Sequence, residues 1–381
     1  IKIGFMYVLS GTLANYGTSS RQGAELAIEE LNAAGGVLGR KVVALFEDTE
    51  LKPEVGAASA KKLAQQDRVD VLMGIISSGV TVEVVKLMPE LKIPLIITLA
   101  MTPDATGKLC NPYTFRVSMN GPQNIKCAAM LASEMKARKW TTIGPDYLFG
   151  YQCWEYFKKF LHQKINDAAF VSDSETVFCP TDETDFSKHI KKLLQSEPEG
   201  VLVSLYGKNL RDFIRQGTEM GLFSGKTEFL MNLAYSNDVL RPLRKDLPKG
   251  LWFGGLYWFQ AVKKPENYNF VQSYFEHFKA FPDHNPAGAY AGVKAYAAAV
   301  EKAKSTKPED VIKALEGLTM ELPQGTVTIR ADDHQAVYDG VWGKTAEYSP
   351  KWSGRMLEPL RIFPASEIAV PVNETGCMKT R

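Results

Sequence analysis

Apolar positions in the first hundred residues fall into two alternating patterns. Short continuous runs, Ile3 to Leu9, Val42 to Phe46, Val69 to Ile76 and Pro94 to Thr98, predict strands buried on both faces. Between them apolar residues recur at helical spacing: Ala24, Ala27, Ile28 and Leu31 before the Gly35-Gly36 stop, then Pro53 to about Gln66, then Val80 to Leu87. Such a βαβαβαβ order predicts a parallel sheet with helices on both faces. A segment from Tyr113 to Pro122 reads first as strand (TFRVSM) and then as turn (NGPQN), which suits a boundary between lobes. The pattern then restarts. Trp140 to Gly144, Val201 to Leu205 and Phe229 to Leu233 read as strands, Tyr151 to Leu161, Phe186 to Gln195 and Leu210 to Glu219 as helices, and Ala168 to Phe178 as extended chain. Beyond Gly250 come two longer helical stretches, Glu266 to Phe281 and Gly288 to Lys304, and short strands around Thr326 to Ile329, Val341 to Trp342 and Leu360 to Phe363. The expected fold class is α/β, with a second α/β unit of similar size following the first.

A length of 381 residues suits two or three domains. Lys plus Arg total 45 against 43 Asp plus Glu, a net charge of +2 without long like-sign blocks, so nothing suggests a nucleic-acid surface. Hydrophobic residues make up 45% and the longest uncharged apolar runs fall short of a membrane span, so a soluble folded protein is expected. The chain opens at Ile1-Lys2-Ile3 without an initiator Met and enters a strand at once, which reads as a processed or trimmed end. The five cysteines, Cys110, Cys127, Cys153, Cys179 and Cys377, lack CxxC or zinc-ligand spacing, so no metal site is expected. Cys110 and Cys377 stand in loop-like contexts that suit bridges in an oxidising space, and buried free thiols account for the same count equally well.

The common catalytic and nucleotide signatures (GxGxxG, GxxxxGK[ST], HExxH, GxSxG) are absent, which points away from an enzyme and from a cofactor. The five histidines, His162, His189, His277, His284 and His334, are scattered, and four in five are expected to be solvated. The informative turns follow predicted strands, where ligands of open α/β sheets bind. Gly74-Ile-Ile-Ser77-Ser78-Gly79 offers hydroxyls and a helix N-terminus suited to a carboxylate, although either serine serves equally well as a plain N-cap. Thr98 to Pro103, with Ala100 and Thr102, follows the next strand, and Ser10 to Gly17 brings Tyr16 to the same edge. In the second half Tyr147 and Phe149 (DYLFGY), Tyr206 (SLYG), Leu233 and Trp258 stand at or beyond strand ends, where aromatic residues wall a cleft or pack a core.

Taken in order, the SGxxAxYG loop, RQGAELAIEELNAAGGVLGRKV, FEDTE, GIISSG, TLAMTPD, YTFRVS, DYxFG and RADDHQ resemble the periplasmic solute-binding proteins of ABC importers, in the branched-chain amino acid, amide and aromatic acid group. The resemblance runs over essentially the whole chain. It implies a type I periplasmic binding fold of two Rossmann-like lobes, with residues 1–120 plus about 251–330 in one lobe and 121–250 plus about 331–381 in the other, joined by three crossings. It also implies closure on the ligand like a hinged clamp, a membrane permease as partner, and a monomer. Residues matching Ser78, Ala100 and Thr102 would hold a carboxylate through hydroxyls and main-chain N–H groups, and those matching Tyr16, Phe149 and Tyr206 would wall the pocket. One departure stands out. Amino-acid binders of the group carry an acidic residue after the strand at Phe229 to Met231, and here the segment reads NLAYSN with no carboxylate before Asp238. That favours an acid without an amine, because an unpaired buried ammonium is costly. A branched-chain amino acid, an amide or urea, or service as a receptor's ligand-sensing module are the competing expectations.

Overall fold

Residues 1–378 are described by a computed structural model, and contacts divide the chain into two compact units. Unit 1 comprises Ile1–Asn120, Val262–Asp339 and the chain from Ala369; unit 2 comprises Gly121–Ala261 and Gly340–Ile368.

Unit 1 begins with β1 (Lys2–Tyr7), α1 (Ala14–Ala33), β2 (Val43–Asp48), α2 (Pro53–Lys61, continued by a wider turn to Gln66), β3 (Val71–Gly74), α3 (Ser78–Leu91), β4 (Leu95–Ile97) and β5 (Thr114–Arg116). The strands form one parallel sheet in the order β2-β1-β3-β4-β5. Alternate residues of one strand are buried on opposite faces. Leu72 of β3 joins Leu63, Val84 and Met88 in a single core, while a Cβ at Gly292 on the opposite side would come within 2.9 Å of the Met73 sulfur. A strand covered on both faces has no polar side, and this is why its sequence lacks alternation.

Unit 2 begins with α4 (Gly121–Ser133), β6 (Lys139–Pro145), α5 (Leu148–Lys164), β7 (Ala169–Phe170), β8 (Val177–Cys179), α6 (Ser187–Gln195), β9 (Gly200–Val203), α7 (Gly207–Glu219), β10 (Glu228–Met231), α8 (Asn237–Leu243) and β11 (Trp252–Gly255). The turn-like NGPQN is a correction: Gly121-Pro-Gln-Asn forms the first turn of α4, where proline is tolerated because its missing N–H would have no partner.

The chain then supplies α9 (Pro265–Phe278), α10 (His284–Ala303), α11 (Pro308–Leu315) and the small antiparallel sheet β12 (Thr319–Leu322), β13 (Gly325–Ile329), β14 (Ala336–Val337) to unit 1. The hairpin β15 (Gly340–Ser349) and β16 (Gly354–Phe363), followed by α12 (Ala365–Ile368), completes unit 2. Its sheet runs β16-β15-β11-β10-β9-β6-β7, with β8 also on β6 and with β15 antiparallel to β11.

These boundaries differ from the expected 251–330 and 331–381. β11 stays in the second sheet because it pairs with both β10 and β15. Residues 331–339 belong to unit 1 through Gln335, whose side chain donates to the carbonyl of Ser118 at 2.8 Å and accepts from Arg116 at 2.9 Å. The last segment also returns to unit 1. Cys110 and Cys377 form a disulfide, and Arg330 donates to the Val370 carbonyl at 2.7 Å. The other cysteines, Cys127, Cys153 and Cys179, are buried free thiols.

Candidate functional site

In unit 1, loops leaving the C-terminal ends of β1, β3 and β4 are tied together by their backbones. Ile75 N–H donates to the Met6 carbonyl at 2.8 Å, Thr98 N–H to Gly74 at 3.0 Å and Ala100 N–H to Ile75 at 3.0 Å. Two left-handed residues in sequence, Gly74 at φ 116 and Ile75 at φ 66, turn the chain sharply off β3, and a Cβ at Gly74 would stand 2.7 Å from the Met6 carbonyl oxygen. Ser77 is the N-cap of α3, its hydroxyl accepting from Val80 N–H at 3.5 Å. Ser78 is thereby released from capping. It is the first helical residue and is buried, and helix geometry leaves its N–H and that of Gly79 without intrahelical acceptors.

Thr102 caps the short turn Pro103–Thr106, accepting from Asp104 N–H at 3.4 Å, so its hydroxyl retains a proton to donate. The Thr102 carbonyl is held by the guanidinium of fully buried Arg116 at 2.6 Å, which also reaches the hydroxyl of Thr106 at 3.2 Å. Since the Ala100 N–H is committed to Ile75, the donors that converge on this edge are the hydroxyls of Ser78 and Thr102 and the start of α3. Tyr16 is 3% exposed and stands at the same edge because α1 presses onto the end of β1: a Cβ at Gly17 would lie 1.8 Å from the Val8 carbonyl oxygen. Asp48, in FEDTE, ties the β1 loop down. Burial would raise its carboxyl, yet hydrogen bonds from the Ser10 hydroxyl and from the N–H groups of Leu9 and Glu50 bring it below the usual range.

In unit 2, Tyr147 and Tyr206 hold equivalent places, each the N-cap of the helix after a parallel strand, and neither caps with its side chain. Their hydroxyls are hydrogen-bonded at 2.9 Å, and Phe149 packs edge-on to Tyr206 at 5.8 Å and lies 6.2 Å from the Tyr147 ring. A Cβ at Gly150 would lie 2.1 Å from the Pro145 carbonyl oxygen, so the glycine of DYLFG lets α5 begin directly against β6. Burial raises the Tyr206 hydroxyl above its usual pKa against the opposing bond to Tyr147, so this phenol stays neutral.

Leu233 is buried in the loop after β10. Its neighbour Asn232 is fully buried and accepts from the Asn124 amide at 3.2 Å. Trp258 belongs to a separate aromatic cluster, with ring centroids 5.7 Å from Tyr235, 4.7 Å from Phe259 and 5.4 Å from Trp352. Its indole N–H is buried without an acceptor among the described residues.

The histidines differ from expectation. His162 is exposed and His277 largely so, but His334 is fully buried, stacked on Phe115 at 3.8 Å and bonded to Glu316 at 2.9 Å, and His284 is 2% exposed. His284 stands 6.1 Å edge-on to Tyr16, a neighbour the sequence alone gave no signal of, because the contact joins segments 268 positions apart (284 − 16 = 268). Burial keeps the thiols of Cys153 and Cys179 protonated, each pushed up to about 12. Among the described residues no group of His, Cys, Asp and Glu could hold a metal ion, and no helix is long and apolar enough to cross a membrane.

Two open α/β sheets with hydroxyl, backbone and aromatic groups gathered at strand ends define a class of small-molecule binder. The family model described as periplasmic binding protein matches residues 1–344, and the chain belongs to that family. It is 27% identical over 331 residues to the Leu/Ile/Val-binding protein homolog 3 of Brucella melitensis biotype 1, covering 86% of each chain. Two solved structures share its fold. The amino acid ABC transporter substrate-binding protein from Pseudomonas fluorescens Pf-5 has a TM-score of 0.88 at 23% identity, with 99% of this chain and 98% of that one covered. A solute-binding protein of an ABC transporter from Rhodopseudomonas palustris BisB5, in complex with 3,4-dihydroxybenzoic acid, has a TM-score of 0.84 at 21% identity, with 96% and 97% covered. Membership of that family makes the chain a solute-binding protein and not an enzyme.

Proposed function

We propose that the chain is a monomeric, extracytoplasmic receptor that captures a small aromatic or apolar carboxylate and delivers it to a membrane permease. The observation that carries the ligand class is the set of donors at one edge of unit 1, the Ser78 and Thr102 hydroxyls and the α3 N-terminus; separately, the sequence after β10 offers Leu233 and no carboxylate before Asp238. Asp238 accepts a hydrogen bond from Ser236. An acid without an amine loses nothing at such a site, whereas an α-ammonium must be stripped of water without compensation, at a cost of several kcal/mol. The aromatic trio Tyr147, Phe149 and Tyr206 supports the same reading. The Cys110–Cys377 disulfide supports the compartment, since such bonds persist in oxidising spaces.

A second reading, a branched-chain amino acid, is favoured by the Brucella relative and by Asp283, a 5% exposed carboxylate next to His284 in unit 1. A thermal-shift panel of aromatic acids, branched-chain amino acids and short amides decides between them. The expected outcome is that an aromatic or apolar acid stabilises the protein more than leucine or valine does. Greater stabilisation by leucine would transfer the site to amino acids, with Asp283 as the ammonium partner.

A further inference from the structure

The first turn of α10 is wedged against the candidate site of unit 1 from two directions. A Cβ at Gly288 would lie 2.3 Å from the Thr98 carbonyl oxygen, and one at Gly23 of α1 would lie 2.2 Å from the Pro286 carbonyl oxygen. Asp283 caps the helix, its carboxylate accepting from Asn285 N–H at 3.0 Å. His284, the first helical residue, is therefore held at the strand-end edge shared by Thr98 and Tyr16, 6.1 Å edge-on to the Tyr16 ring. Among the described residues neither of its ring nitrogens has a hydrogen-bond partner, although the residue is only 2% exposed. A buried imidazole with both nitrogens unpaired forfeits hydrogen bonds it would make in water, and this opposes folding. Burial lowers its pKa against the opposing charge of Asp283, so the ring is neutral, with one nitrogen donating and the other accepting. A hydroxyl group, which also both donates and accepts, is the matching partner. A second carboxylate would face a ring without charge, beside Asp283.

We infer that His284 is a specificity-determining residue that hydrogen-bonds a hydroxyl group on the ligand, so that the solute is a hydroxylated small carboxylate. The inference rests on the carboxylate reading of unit 1 and refines it.

Calorimetric titration of benzoate and its three monohydroxy isomers against wild type, His284→Phe and His284→Gln tests it. In wild type at least one hydroxylated isomer is expected to bind fivefold or more tightly than benzoate. His284→Phe, which keeps an aromatic ring beside Tyr16, is expected to abolish that preference while leaving benzoate affinity within about twofold, and His284→Gln to retain part of it. The ligand-free melting temperature of His284→Phe is expected to equal or exceed that of wild type, because an unpaired polar group has been removed. A hydroxyl preference that persists in His284→Phe, or wild type that binds benzoate as well as every isomer, would overturn the role of His284 while leaving the carboxylate reading intact. Failure of all four acids to bind a folded wild type that binds leucine would overturn both.

Discussion

Ser77 and Ser78 show how one position decides a side chain's task. Both hydroxyls lie at the same strand-to-helix turn, yet only Ser77 has the extended backbone (φ −76, ψ 130) of an N-cap, and its oxygen is spent on Val80 N–H. Ser78, one residue on, is helical and buried, and under the proposed function its hydroxyl is the one that meets the ligand. Thr102 differs because its hydroxyl accepts locally and keeps a proton to donate. Ser78→Ala and Thr102→Val should each weaken binding of the best acid in the panel about tenfold or more without loss of fold, since a hydrogen bond to a charged group contributes about 1.5 to 3 kcal/mol. Titration calorimetry reads this directly, and unchanged affinity in both variants would remove the carboxylate from this turn. Ser77→Ala serves as the contrast. It is expected to lower the melting temperature, because a cap is worth about 1 kcal/mol, with a smaller effect on affinity.

Among the elements, two are held by specific polar or covalent ties. The loop before α6 is organised by Glu183, whose carboxylate accepts from Thr184 N–H at 3.0 Å and meets His189 at 2.9 Å and Lys188 at 3.0 Å. The bond to His189, then that to Lys188, hold the carboxyl down at about 2 from an ordinary 4.5. A carboxyl lowered in the folded state stabilises above its unfolded pKa and loses that contribution as pH falls, so this tie should weaken between about pH 4.5 and pH 2. In Glu183→Gln the fall in melting temperature over that interval should be shallower than in wild type; an identical slope would show that Glu183 is not paired in solution.

The segment after Ala369 is anchored to unit 1 by the Cys110–Cys377 disulfide across 267 residues. Replacing both cysteines by serine should destabilise unit 1 by roughly 2–4 kcal/mol, the usual contribution of a bond that closes a long loop. Calorimetry under oxidising and reducing conditions tests this: the wild-type transition should shift on reduction and the double variant's should not.

For the whole molecule, the family resemblance implies a clamp in which ligand binding draws two units together. Small-angle scattering of protein shown by mass spectrometry to be ligand-free should therefore give a larger radius of gyration than the same sample saturated with the best acid from the panel. Identical radii would exclude the clamp for this chain.

Much of the architecture follows from local pattern. Continuous apolar runs such as Val71–Gly74, short and bounded by turn residues, read as strands covered on both faces, glycines such as Gly17 and Gly150 let a helix press on a strand-end carbonyl, and hydroxyls stand at the strand ends where ligands of open sheets bind. The strand-end positions of Ser78, Thr102, Tyr147, Phe149 and Tyr206 were legible for that reason. Other features depend on contacts between distant segments, which no local pattern encodes. Trp258 has the same composition signal as Tyr206, but Trp352, nearly a hundred positions on (352 − 258 = 94), draws it into a different cluster. The lobe boundaries moved because strand pairing of β11 and a disulfide outweigh proximity in sequence. His284 reads as one of several scattered histidines until α10 folds against α1 and β4. Its burial, its unpaired nitrogens and its place beside Tyr16 arise only when segments far apart in the chain exclude water from the same edge.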